Sequence, residues 1–353
     1  MTLILSNEDV AAALDTSACL AAMREAYAEL ADSRASQRPT SHSYLPHDLK
    51  QATYSFKSVE GAIKKTGILA LRLTSDIVQE RPSGNSVRLD KLPLAGEGRF
   101  VGLVQLFSTE TGALLAIMPD GVIQQTRVAV TSALGTKALA RPESRILALV
   151  GSGGQARAHL RYLAAVLPLK QVRLYSPNEA NRLAFAAEMG RETGLPITPY
   201  DHVAAALEGA DIVCTATNAS RPVLGAELLA PGMHYTAIRE FEMDEAALER
   251  CDPVIIHTRF GGIQHYQPPG TVGDLPGVRR EKPRDWSRYP EIQELLAGKV
   301  EGRINAQQIT LFFNNVGTGV QFAAIGAAAY AGAREKRLGQ EIPSGWFMQD
   351  IKP

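Results

Sequence analysis

Cysteine is scarce in this sequence, and neither sign of charge is in surplus. The three cysteines among 353 residues, Cys19, Cys214 and Cys251, share no metal-type spacing, and an odd number cannot pair completely. They read as reduced, buried thiols of a cytoplasmic protein. The 37 basic and 37 acidic side chains cancel, which excludes the one-sided excess of Lys and Arg that a nucleic-acid surface needs. No stretch approaches the ~20 consecutive apolar residues that span a bilayer. The longest, Phe322 to Tyr330, is short and rich in Ala and Gly. The opening Met1-Thr-Leu-Ile-Leu-Ser-Asn-Glu has neither a basic segment nor a long apolar run, so no secretory signal is expected. The seven histidines form no H-x-x-x-H or mixed Cys/His cluster, so no metal site is expected. No internal repeat and no low-complexity tract is found.

What is present is enough apolar material, 45% of the chain, for about two domains. Ser6 to Asp9 carries a capping signal for a short helix to Leu14. A second helix from Asp15 or Thr16 places Leu20, Met23, Tyr27 and Leu30 on one stripe. Pro39, Pro46 and neighbouring Ser and His residues then mark irregular chain. Strands follow at Thr53–Lys57, Gly67–Thr74, Phe100–Phe107 and Ala113–Pro119, the last two joined by a Thr109–Gly112 hairpin. Between Ile77 and Gly98, Pro82, Gly84, Pro93, Gly96 and Gly98 predict a loop. The first ~120 residues therefore read as α+β with a mostly antiparallel sheet.

A helical period covers 124 to 140, and strands and helices then alternate. Strands are expected at Ile146–Val150, Val172–Tyr175, Ile212–Thr215, Met233–Ala237 and Val254–His257, with helices at Gln155–Val166 and Asn178–Glu192. This is the pattern of a parallel sheet covered on both faces. It ends near Gly302; Gln321 to Lys336 reads as a long helix, followed by an extended tail with Trp346 and Phe347.

Ile146-Leu-Ala-Leu-Val150 runs directly into Gly151-Ser152-Gly153-Gly154-Gln155-Ala156, a G-x-G-x-x-A turn that opens a helix. Gly151 permits the tight turn, Gly153 lets backbone approach a pyrophosphate, and Ala156 lets the helix pack on the strand. Phosphates would sit on the free N–H groups at the helix N-terminus. With the strand before, the helix after and the βαβ continuation all present, this is a Rossmann dinucleotide-binding turn. An NAD site places Asp or Glu at the end of the second strand; here stands Tyr175-Ser176-Pro177-Asn178, with no carboxylate before Glu179. Ser176, Asn178 and Arg182 could instead hold a 2′-phosphate, which points to NADP with NAD as the alternative. Thr215, Ala216 and Thr217, after the next strand, should lie beside the nicotinamide ribose.

Three further stretches resemble the ornithine cyclodeaminase/μ-crystallin family. Gln125-Thr-Arg127-Val-Ala-Val-Thr-Ser132-Ala-Leu, with Leu139-Ala-Arg-Pro-Glu and the glycine turn, is the first. Pro231-Gly-Met-His234 is the second. Gly302-Arg-Ile-Asn, Ile309-Thr-Leu-Phe312 and Gly317-Thr-Gly319 form the third. The resemblance implies an α/β fold with a Rossmann domain (125–319) inserted into an α+β substrate-binding and dimerisation domain (1–124 with 320–353), and an active site between them. It also implies a homodimer and a small amino, imino or keto acid as substrate.

Within the resemblance Arg127 matches a carboxylate-binding Arg, whose planar fork suits bidentate recognition, and Arg38 is a second Arg for an anionic substrate. Arg72 stands where the family has Lys; it binds an anion or polarises a carbonyl but does not shuttle protons. Lys57, His234 and Glu240 remain open as proton donors or acceptors. Gly317 is expected near the nicotinamide, with Asn314, Asn315 and Thr318 available to its amide. The family's acid after His234 is absent from its usual place, and Arg239-Glu240-Phe241 reshapes that wall, which argues against ornithine cyclisation. The readings left open are an NAD(P)H-dependent reductase or amino-acid dehydrogenase, a redox-neutral lyase with bound NAD, and a dinucleotide-binding protein without turnover.

Overall fold

In a computed structural model, the residues described are 1–83, 86–92, 100–219, 221–260, 263–271, 275–276, 278 and 285–351, without the side chains of 81–83, 86–89 and 241. The first part holds strands β1 (Thr2–Ile4), β2 (Ala35–Gln37), β3 (Ser41–Pro46), β4 (Ala52–Ile63), β5 (Ile68–Ser83), β6 (Ser86–Leu92), β7 (Val101–Ser108) and β8 (Leu114–Pro119). Its helices are α1 (Asn7–Ala13), whose capping box pairs Ser6 with Asp9, and α2 (Thr16–Ala31), capped by Asp15. Helix α3 (Gly121–Leu139) leads into β9 (Ile146–Val150), α4 (Gly154–Val166), β10 (Gln171–Tyr175), α5 (Glu179–Thr193), β11 (Ile197–Tyr200), α6 (Val203–Leu207) and β12 (Ile212–Thr215). Then come β13 (His234–Ala237), α7 (Glu245–Glu249), β14 (Val254–Ile256), β15 (Gln264–Tyr266), α8 (Ile292–Leu296), β16 (Thr310–Phe313), α9 (Gly319–Lys336) and β17 (Gln340–Ile342).

Two sheets result. One is seven-stranded in the order β11-β10-β9-β12-β13-β16-β14, with every pairing parallel. Its strands are short, and β9, β12, β13 and β16 are almost wholly buried, as the doubly covered middle of a parallel sheet requires. The other has ten strands and is mostly antiparallel, with the path β15-β3-β4-β5-β7-β8-β1-β17. Helix α9 lies on its inner face, where Val59, Ile63, Ala70, Val104 and Leu106 are buried with Phe322 and Ile325. No helix among the described residues is long and apolar enough to cross a membrane.

Several expectations need correction. The chain around Pro39 and Pro46 is not irregular: β2 and β3 flank Pro39, and Pro46 ends β3, positions where a missing N–H costs little. The segment after Ile77 is not a loop, because β5 continues to Ser83 and β6 pairs back along it; Gly84, Pro93, Gly96 and Gly98 lie outside the described residues. The strand pattern does not stop before Gly302, since β16 sits between β13 and β14. Four buried residues were too short a run to show a period. Finally, β15 leaves the parallel-sheet half of the chain and pairs in parallel with β3, on the other sheet.

Candidate active site

The glycine turn sits at the carboxyl edge of the parallel sheet, between β9 and α4. Gly151 has φ +119°, and a Cβ there would lie 2.4 Å from the carbonyl oxygen of Ala216. Only glycine fits. A Cβ at Gly153 would meet nothing within 4 Å, so that side is open to a ligand. A cleft of about 630 Å³ opens over the turn, lined by Gly151 to Gln155, by Tyr175 to Asn178 with Asn181, and by Ala216 to Ala219. Gln155 Oε1 is buried there with no hydrogen-bond partner. Open backbone N–H groups at the start of a thirteen-residue helix, a turn stripped of side chains and a cleft of this size fit the pyrophosphate of a dinucleotide.

The cleft gathers Gly151, Ser152, Gly153, Gly154, Gln155, Ser176, Asn178, Ala216 and Thr217. Four other residues assigned to it by sequence have different places. Ala156 is fully buried, packing α4 on the sheet. Thr215 is buried too, its hydroxyl donating to Glu242 Oε2 at 3.0 Å. Arg182 is neither solvated nor free for a phosphate: it donates to the Ser176 carbonyl at 3.2 Å and pairs with Asp201 at 2.6 Å. Gly317 lies against Arg127, where a Cβ would come 2.4 Å from Nη1. Asn178 caps α5 through Asn181 N–H, and the Ser152 and Ser176 hydroxyls are 2.8 Å apart. Among the described residues no carboxylate lines the cleft.

Glu242 is the residue sequence reading undervalued. It ends a short 3-10 turn, Glu240–Glu242, just after β13, and is fully buried. Its Oε1 accepts from Thr217 N–H at 2.7 Å and the Thr217 hydroxyl at 2.9 Å, and its Oε2 accepts from the Thr215 hydroxyl, Ile238 N–H and Arg239 N–H, each at 3.0 Å. It thus ties the loop after β12, which lines the cleft, to the loop after β13. Glu240 opens the same turn, half-buried. Phe241's side chain lies outside the described residues.

On the antiparallel sheet, Arg72 points from the inner face of β5. Its Nε and Nη2 both reach Asp120 Oδ2 at 2.8 Å. Asp120 stands at the N-cap of α3 but makes no capping bond, because its carboxylate turns to Arg72. Arg127, one turn and a half into α3, is 8% exposed. Its Nη1 donates to Gln321 Oε1 at 2.8 Å and its Nε to Gln124 Oε1 at 3.2 Å. Both guanidiniums lie over the Phe322 ring, at 5.4 Å for Arg72 and 5.2 Å for Arg127. Burial, then the charge of Arg72, lower the Arg127 pKa, yet a guanidinium remains a cation at working pH. Among the described residues Arg127 has no carboxylate within ion-pair distance. It is a buried cation held by two neutral amides and an aromatic ring.

Lys57 shares this face. Burial, and next the charge of Lys91, push its ammonium down to about 8, against the pull of Asp76. Asp76 Oδ2 lies 3.9 Å from Lys57 Nζ and 2.9 Å from Lys91 Nζ. His42 stands opposite Lys57 on β3; burial first, then the charge of Lys57, lower it to about 3, so its imidazole is neutral. Arg38 does not join the set. It binds Glu60 and the Ser58 hydroxyl, whose positions alternate with Lys57 and Val59 on β4 and so lie on the other face. His234 is buried between the Thr310 hydroxyl at 2.9 Å and the Thr136 hydroxyl at 3.2 Å, and burial lowers it to about 3. It is a packing histidine. Asn314 is turned inward as well, donating to the Val128 carbonyl and the Ser132 hydroxyl. Asn315 holds Thr258 through its N–H and carbonyl. No group of His, Cys, Asp and Glu suited to a metal occurs among the described residues.

Residues 91–337 match the sequence profile of the ornithine cyclodeaminase/mu-crystallin family. A Delta(1)-pyrroline-2-carboxylate reductase of Bacillus cereus is 29% identical over 253 residues, 70% of this chain and 75% of that protein. The fold is that of the Thermococcus litoralis Delta(1)-pyrroline-2-carboxylate reductase solved with NADH and L-proline, at TM-score 0.77 and 24% identity over 97% of this chain and all of that one. An archaeal alanine dehydrogenase dimer with bound NAD has TM-score 0.74 at 22% identity, covering 97% of this chain and 99% of that one.

Proposed function

Since this chain belongs to the ornithine cyclodeaminase/mu-crystallin family, we propose that it is an NAD(P)H-dependent reductase of a small imino or keto acid, working also as an amino-acid dehydrogenase in reverse. The observation that carries this reading is Arg127: a buried guanidinium without an acidic partner, on the helix between the glycine turn and the antiparallel sheet. A buried charge is stable only when paired, and a substrate carboxylate supplies that pair. Arg72, shared with Asp120, lends a second cation beside it.

Bound over the glycine turn, the dinucleotide supplies or accepts hydride at the carbon of the C=N bond. Arg127 orients the substrate by its carboxylate, and Gly317 leaves room for the fork. The Lys57 ammonium delivers the proton to the substrate nitrogen, and its lowered pKa makes that transfer easier near neutral pH. Glu242 keeps the cleft wall in place without touching substrate.

An acid-free rim with the Ser176 hydroxyl and the Asn178 and Asn181 amides supports NADPH over NADH. The same premise supports a unit of 1–124 with 320–353 around a Rossmann unit of 125–319, and a homodimer. The outer face of the antiparallel sheet carries partly exposed Phe56, Leu69, Leu71, Leu73, Leu103 and Phe107, apolar surface suited to a second copy. Sedimentation at the mass of a single chain overturns the dimer. Buried free cysteines support a reducing, cytoplasmic location.

The deciding experiment follows NADPH and NADH absorbance with Δ1-pyrroline-2-carboxylate and with 2-oxo acids plus ammonia or methylamine. Cofactor oxidation that requires the acid is expected, faster with NADPH. Ammonia release from ornithine without net cofactor change, or tight NADPH binding with no acid consumed, overturns the reading.

A further inference from the structure

Beyond Arg72, the inner face of the antiparallel sheet carries further polar residues, and three of them serve neither the fold nor the proposed chemistry. In register across β3, β4 and β5 stand His42, Lys57 and Thr74 in one row and Tyr44, Ser55 and Asp76 in the next. Ser55, Thr74 and Asp76 are 1%, 5% and 0% exposed. The Ser55 and Thr74 hydroxyls and Asp76 Oδ1 are buried with no hydrogen-bond partner. Folded proteins leave few such atoms, and here three occur on neighbouring residues of two paired strands. All three share the face of Arg72, and Thr74 and Asp76 its strand. The end of the sheet beside them is closed by the chain after β15, where the Pro276 carbonyl accepts from the Thr53 hydroxyl at 2.6 Å and Val278 is buried.

We propose that Ser55, Thr74 and Asp76 form a subsite for the far end of the substrate side chain, and that this end is a neutral hydrogen-bonding group, a hydroxyl or a carboxamide. The assignment rests on the reductase reading for the position of the substrate carboxylate. Each two-residue step along β5 is about 7 Å, so a substrate held at Arg127 and Arg72 reaches Thr74 one step on and Asp76 two. Asp76 Oδ1 can only accept, and its other oxygen is already held by Lys91, with Lys57 nearby. An anionic end would face that free carboxylate oxygen. A cationic end would be a third cation beside two lysines. An alkyl end would leave all three atoms without partners on a drier face. A hydroxyl or carboxamide donates to Asp76 Oδ1 and accepts from Ser55 or Thr74.

The test uses five-carbon 2-oxo acids that end in methyl, carboxamide or carboxylate, each with ammonia. Two quantities are read: kcat/KM from NADPH consumption, and the dissociation constant from the fluorescence of bound NADPH. The carboxamide acid is expected to surpass the methyl acid by about tenfold or more in both. In the Ser55→Ala/Thr74→Val double variant that ratio should fall to within about twofold. The melting temperature of the ligand-free variant should hold or rise, because unpartnered buried hydroxyls have been removed; a structural role would lower it. Asp76→Asn, read in the same way, serves if the double variant does not fold. Equal binding of methyl and carboxamide acids, a preference for the carboxylate, or a ratio unmoved by the variants overturns the subsite. Turnover without preference sinks the subsite and leaves the reductase; preference in binding without turnover does the reverse.

Discussion

Two buried carboxylates, one beside each sheet, are treated in opposite ways. At the edge of the parallel sheet, Glu242 accepts hydrogen bonds from Thr215, Thr217, Ile238 and Arg239. On the antiparallel sheet Asp76 keeps one oxygen without a partner, next to two unpartnered hydroxyls. The first carboxylate is fully satisfied as folded and fixes the loops it joins. The second sits among polar groups that leave one another unsatisfied. Cofactor sites that serve many substrates can be rigid, while the substrate side carries the chemistry that differs between relatives.

Three changes probe that contrast, and the largest effect belongs to Lys57. Lys57→Met should lower kcat for imine reduction by about a hundredfold or more. In the parent protein the rate should fall as pH rises through about 8, because the proton-bearing form of Lys57 disappears there. The pH–rate profile of the variant should lack that limb; a limb that persists assigns the proton to another group. Next, Arg127→Ala should cut kcat/KM by about thirtyfold or more, ~2 kcal/mol, while NADPH binding by fluorescence titration stays within about twofold. Equal loss of both would erase the division between the sides. The smallest effect is expected from Glu242→Gln, whose amide turns an N–H toward groups that themselves donate. It should weaken NADPH binding several-fold and raise the KM for NADPH more than that for the acid. An acid KM that moves more than the cofactor KM would place Glu242 on the other side of the contrast.

How far the sequence reveals this site depends on the distance over which its parts communicate. The glycine turn is local, so strand, turn and helix could be read from Ile146 to Val166, and Gly151 proves to need its missing side chain. The strand Gly67–Thr74 and the helix carrying Arg127 were legible in the same way. Partnerships across the fold were not. Nothing near Asp120 in sequence announces Arg72, 48 residues away, beyond the presence of a capping residue that turns out not to cap. Glu242 carries no local signal, since its donors Thr215 and Thr217 lie at the end of another strand. Arg38 shows the reverse failure. The resemblance implied an anion site there, but strand alternation sends Ser58 and Glu60, its partners, to the far face. The Ser55–Asp76 row needed the register of β4 and β5, which composition cannot supply, because proline and glycine near its end suggested a loop.

The short strand β15 gives the molecule a pivot. Gln264, His265 and Tyr266 pair rung for rung with Ser41, His42 and Ser43, so backbone from the parallel-sheet half is stitched to an edge of the other sheet. A movement that parts the two sheets to release a dinucleotide must either rotate about that ladder or break it. Rotation keeps the three rungs intact, whereas a sliding movement breaks them.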